Sequence, residues 1–293
     1  MADDMDLDNL GEYEDEDVGL RPEDKRHAKS NNEEWFKGEK GVAYRVSFIY
    51  FWPLAVAIAA AAKRQAKDKG AAPPTKEQLA EVAKKALAKR SEELNKPIDQ
   101  LQEHEKLDLS EPHFKKISAH YKEGVGFVVS RLGKDGAEAD EVWKMLGDAK
   151  SYFCSAILVY PTNRQGELDK ASFATNWKVL PWRFSSKVYT QLLAQANSLR
   201  SNDLTIADQD LIITCTNSEF QNFDKIESAG KALYRKSPKL QESVLSTAIK
   251  LYPKLTPFRE LSTADLRIKL GLSTAARGED VSTDDMEDLL NTV

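Results

Sequence analysis

The chain has 293 residues, 41% apolar and 30% charged, enough for one or two domains around a solvent-compatible core. Its formal net charge of -5 is unevenly spread: residues 1–20 hold nine acidic side chains and residues 279–293 six, with no basic one in either, so residues 21–278 set 42 basic against 32 acidic, a net of +10. A basic body between acidic ends points to a polyanionic partner, and two cysteines argue against a disulfide scaffold or a cysteine metal cluster.

Residues 1–35 read as a disordered acidic segment, because almost nothing in them can be buried. An acidic start is not a secretory leader. The stretch 41–51 alternates Val42, Tyr44, Val46, Phe48 and Tyr50 on one face, which predicts a strand. Pro53 opens a predicted helix from Leu54 to Lys67, with Lys63, Arg64 and Lys67 at its end. The apolar run around it, 49–62, is too short to span a bilayer, so no membrane is expected. Residues 69–74 form a linker. Thr75 and Gln78 then make a capping box for a helix to about Glu93, with Leu79, Val82, Ala83, Ala86 and Leu87 as its apolar stripe.

Residues 95–120 are polar and irregular. A strand is predicted over 124–132, a turn at Lys134-Asp135-Gly136, and a short helix with Trp143 over 137–146. The most strand-like run is 151–160, followed by a loop of Pro161, Asn163, Arg164, Gln165 and Gly166. Residues 173–184 predict a second strand and 185–199 a helix. Residues 210–215 predict a third strand, and 230–234 a piece that closes a barrel. Helices are predicted at 238–250 and, capped by Ser262 or Thr263, through Leu270.

Enzyme signatures are missing: there is no phosphate-binding Gly-rich loop, no His-Glu-x-x-His and no nucleophile elbow. His113 and His120 have no cysteine near them in sequence, so neither a metal nor another cofactor is expected. What recurs instead is an aromatic beside a cation: Tyr44 and Arg45, Tyr160 and Arg164, Trp177 and Lys178, Trp182 and Arg183, Lys187 and Tyr189. Flat rings stack on bases without regard to sequence, while cations neutralise phosphates. Alternation places Arg183 on the face opposite Trp182 and Phe184, and leaves open which face meets a ligand.

The central and C-terminal blocks resemble the single-stranded DNA-binding protein of T-even and related large bacteriophages. Residues 152–159, Tyr-Phe-Cys-Ser-Ala-Ile-Leu-Val, look like that family's tyrosine-initiated strand, and Gly166-Glu167 stands where a Gly-Lys turn leads onward. Residues 182–189, Trp-Arg-Phe-Ser-Ser-Lys-Val-Tyr, resemble its Tyr-Arg-Phe-Gly-Lys-Lys-Ile-Trp, and Asn222-Phe223-Asp224 its Asn-Tyr-Asp. Residues 245–271 resemble its helical segment, and 285–291 its acidic terminus.

The resemblance implies a mainly β fold with helical additions (α+β), an OB-fold-like β-barrel over 36–271. A helical insertion lies at about 53–120, a C-terminal helical subdomain at about 238–271, and an acidic flexible tail at 272–293. It implies sequence-independent binding of single-stranded DNA in replication, recombination and repair, in the cytoplasm of an infected bacterial host. Arg45, Tyr152, Trp182, Arg183, Lys187, Tyr189 and Phe223 would line the cleft. Asp284, Asp285, Glu287, Asp288, Leu289 and Leu290 would contact phage replication and recombination proteins. Self-association along DNA is left open, because the family's basic N-terminal segment is acidic here. The family's His/Cys zinc subdomain is replaced by alanine- and lysine-rich sequence without cysteine. The alternatives are an RNA-binding nucleoprotein, a phage structural or assembly protein and, ranked lowest, a nuclease.

Overall fold

A computed structural model describes residues 35–130, 141–173, 176–215, 225–255 and 261–272. The chain divides into two compact units, Met1–Ile117 with Ser151–Pro257, and Ser118–Lys150 with Phe258–Val293. The strands are β1 (Ala43–Phe48), β2 (Lys115–Lys122), β3 (Gly126–Val129), β4 (Lys150–Val159), β5 (Lys178–Ser185), β6 (Gln209–Thr214) and β7 (Lys225–Lys231). The helices are α1 (Leu54–Asp68), α2 (Lys76–Leu94), α3 (Glu141–Met145), α4 (Ser186–Arg200), α5 (Pro238–Ile249) and α6 (Thr263–Lys269).

The strands run in the order β3-β2-β4-β1-β6-β7, with β5 also on β4. This corrects the expected OB-fold barrel: the seven-stranded sheet is open. It also corrects the mainly β reading, since among the described residues helix takes 42% and strand 27%. The edges explain the openness. Pro181 sits inside β5 and has no N–H to offer a further strand, and its carbonyl accepts from Phe36 N at 2.9 Å. β7 is mostly exposed and carries Lys225, Glu227 and Lys231, charges that blunt an edge. Residues 230–234, expected to close a barrel, instead end β7 on its partner β6 and enter a 3-10 turn at Leu233–Lys236. The region 95–120, expected to be irregular, holds the start of β2.

In the first unit, period-2 alternation builds the core. Antiparallel register sets Val46 against Val159 and Leu211, Phe48 against Ile157, and Phe153 against Phe184. These residues face one side and are closed by Val188, Leu192 and Leu199 of α4. Trp182 lies at the centre, fully buried, stacked on Phe48 at 5.8 Å and tilted against Phe184 at 4.7 Å. α1 and α2 form a hairpin in which Val56 and Ala59 pack with Leu79. The Thr75–Gln78 capping box starts α2, and Asn95 in the left-handed conformation ends it.

The second unit pairs β2 with β3 and packs Val128, Val142, Trp143, Leu146 and Leu266 together. Trp143 Nε1 donates to Thr263 Oγ1 at 3.1 Å, which ties α3 to the start of α6. His120 is fully buried with Gly147 O at 2.7 Å and Ser130 Oγ at 3.1 Å, a satisfied core histidine. No helix among the described residues is long and apolar enough to cross a membrane.

Candidate functional site

The residues expected to form a cleft fall into separate places. Trp182 is a core ring with no open face. Arg45 and Tyr160 belong to one buried polar network. Arg45 Nε donates to Asp210 Oδ2 at 2.8 Å, and its Nη2 donates to Ala229 O at 3.1 Å. Ser47 Oγ donates to the second oxygen of Asp210 and shares a 3.0 Å hydrogen bond with the Tyr160 hydroxyl, which also accepts from Tyr234 N at 3.1 Å. Burial pushes the Asp210 carboxyl up, against Ser47 and Arg45, which pull it down. Burial likewise raises the Tyr160 phenol. A carboxylate with no exposed surface needs that guanidinium, so Arg45 is committed to the fold.

Tyr44 is half-buried, edge-on to Phe36 at 5.1 Å, and its hydroxyl accepts from Glu39 N at 3.0 Å. Arg164 lies exposed in a loop held tight to β1. Its carbonyl accepts from Ala43 N at 2.9 Å, and a side chain at Gly166 (φ +81°) would meet Ala43 Cβ at 3.1 Å. Trp177 is half-buried, while Lys178 is exposed where β5 begins. Tyr152 and Arg183 do come together, on the sheet face opposite Trp182, with Cys154 directly across from Arg183. Burial weakens the hold of Arg183 on its proton and pushes the Cys154 thiol up to about 12, so that thiol is inert. Lys187 is exposed in the first turn of α4. Phe223 and the tail residues Asp284, Asp285, Glu287, Asp288, Leu289 and Leu290 lie outside the described residues.

Tyr189 leads to the site that sequence reasoning missed. Its ring stacks on Phe153 at 3.9 Å and 5°, and meets Phe114 edge-on at 5.8 Å. Beside it opens a groove of about 340 Å³ between Trp52, the 111–114 turn and α4. That volume is at the lower end of the range for ligand sites. Trp52 and His113 stack in it at 3.7 Å, only 4° from parallel. Leu193, 41% exposed, leaves apolar surface uncovered. Arg64 of α1 and Arg200 of α4 are exposed cations on its lining.

Arg200 is paired with Glu111 across the groove, both side chains 55% exposed. Such a pair contributes roughly 1 kcal/mol or less, so an incoming anion can exchange with the carboxylate. His113 N donates to Tyr50 O at 2.8 Å, which fixes the turn. Burial holds its imidazole at about 4, with Asp108 raising it and Arg64 lowering it. The imidazole is therefore neutral near pH 7, a flat polar ring rather than a cation.

The sequence signal was present but faint. Trp52 closes an aromatic run before Pro53, and Arg64 lies one turn from the cations ending α1. Nothing local announces that residues 52, 113 and 200 converge. Among the described residues, no three His, Cys, Asp or Glu side chains are grouped to hold a metal ion. No family model matches the chain, and no curated protein matches it.

Proposed function

We propose that the protein binds single-stranded nucleic acid, DNA in the first place, without sequence preference, and that its role is to hold and protect an unpaired strand. The observation that carries this reading is the groove itself: a parallel Trp52–His113 pair and an exposed Leu193 between two arginines, Arg64 and Arg200. Rings offer an unstacked base a surface that any base can use, and guanidiniums take the phosphates beside it. The excess of ten positive charges over residues 21–278 supports the same ligand class independently. The resemblance of 152–189 to the phage protein extends the reading to replication, recombination and repair, with partner proteins met through the acidic C-terminus.

Anisotropy of a labelled single strand, its duplex and an RNA of the same sequence, each over a salt series, tests the proposal. Single-stranded DNA is expected to bind best, with a log-log salt slope of about -0.7 per phosphate contacted. A preference for duplex, or affinity indifferent to salt, overturns it. A preference for RNA over DNA moves the function to an RNA-coating protein, because only RNA offers the 2′-hydroxyl.

A further inference from the structure

Next to the groove lies a second hollow of about 340 Å³, lined by Lys63, Arg64, Lys67, Ala71 and Pro73. Arg64 lines both hollows. Lys63 and Lys67 are four residues apart on α1, so they stand about one helical turn, ~6 Å, above each other on one face.

Helix-end electrostatics accounts for only part of this cluster. Cations favour a helix C-terminus within its last turn. Lys67 fits that role, but Lys63 and Arg64 sit earlier in α1. The closing carbonyls are also already satisfied by backbone. Lys69 N donates to Gln65 O at 3.1 Å, Gly70 N to Lys67 O at 3.0 Å and Ala71 N to Ala66 O at 2.8 Å. The lysines are therefore not needed as caps. Successive cations one turn apart, leading out of a groove with rings, match the backbone of a strand whose base is held in that groove.

We infer that the shelf of Lys63 and Lys67 is a phosphate subsite, and that the strand passes from the groove across Arg64 onto it. The inference rests on the nucleic-acid reading above and adds a path to it. It also gives the α1–α2 hairpin a role in binding through α1, while the lysines of α2 lie outside both hollows.

The test compares a thymidine dinucleotide with an oligothymidylate of about eight nucleotides, on wild type, K63A/K67A and R64A/R200A, with helix content and melting followed for each. For K63A/K67A the longer ligand is expected to bind roughly tenfold more weakly at about 0.1 M salt, with a slope shallower by about 1.4 for two lost contacts. Its dinucleotide affinity should be unchanged. R64A/R200A should weaken both lengths. If K63A/K67A binds the longer strand like wild type while R64A/R200A does not, the shelf is overturned and the groove stands. Equal weakening of both lengths by K63A/K67A overturns a separate subsite. If R64A/R200A affects neither length, the groove reading falls and the path with it.

Discussion

Single residues show how one side-chain type takes opposite roles. Arg45 and Arg64 are both arginines of the basic body, yet Arg45 is spent on a fully buried Asp210 while Arg64 stands exposed at the groove. His113 carries a prediction of its own. An unfolded imidazole protonates near 6.5, whereas folded His113 resists to about 4. Between those values the unfolded chain binds the extra proton, so stability falls as pH drops from about 6.5 towards 4 and levels off below. From pH 7.5 to pH 5 this one group should cost at most about 2 kcal/mol. H113F keeps a ring on Trp52 and removes the titration. Unfolding free energies from urea titrations at the two pH values should therefore differ less in the variant by that amount. Equal shifts in both proteins would show that His113 is not held neutral.

At the level of elements, the α1–α2 hairpin decides where Arg64, one of the groove's two arginines, stands. Its own packing is thin: Val56, Ala59 and Leu79, with Trp52 and Ala62 against them. Leu79 is 3% exposed and Val82, on the same expected stripe, is 40% exposed. L79A should thus lower stability by about 3 kcal/mol through the cavity it leaves, while V82A should change it by roughly 0.5 kcal/mol or less. Chemical unfolding of the two variants checks this, and equal losses would contradict the hairpin packing. Because Trp52 packs on that cluster, L79A should also weaken single-strand binding at temperatures where the protein is still folded. Edge chemistry is decided at this level too. Pro181 in β5 and the charged β7 leave the sheet open where a barrel would need two pairing edges.

For the whole molecule, charge distribution matters more than net charge. Removing residues 279–293 deletes six acidic side chains and moves the formal charge from -5 to +1. Affinity for a single strand should then rise or stay level at low salt, and recruitment of partner proteins should drop. Much weaker strand binding by the truncated chain, measured by the same anisotropy, would count against a partner-facing role for that tail. The expected effect shrinks as salt screens the charges, with a Debye length of about 10 Å at 0.1 M.

Alternation and caps were legible in the residues alone. The period-2 rule placed Tyr44, Val46 and Phe48 on one face and Arg183 opposite Trp182 and Phe184, and the structure keeps both assignments. The Thr75–Gln78 box and the short α6 after Ser262 were also readable, because capping is a contact between near neighbours. Whether a ring that alternates correctly faces a ligand or the core was not readable. That choice belongs to what lies across from it, and α4 closes over Trp182. Nor could the sequence join Trp52, His113 and Arg200, which meet only after β1, the 111–114 turn and α4 have packed. Local pattern determined the helices, the uneven charge and the strands other than β2 and β7. Long-range packing and the unpaired sheet edges decided which aromatics are buried, that the sheet does not close, and where rings and cations are left exposed together.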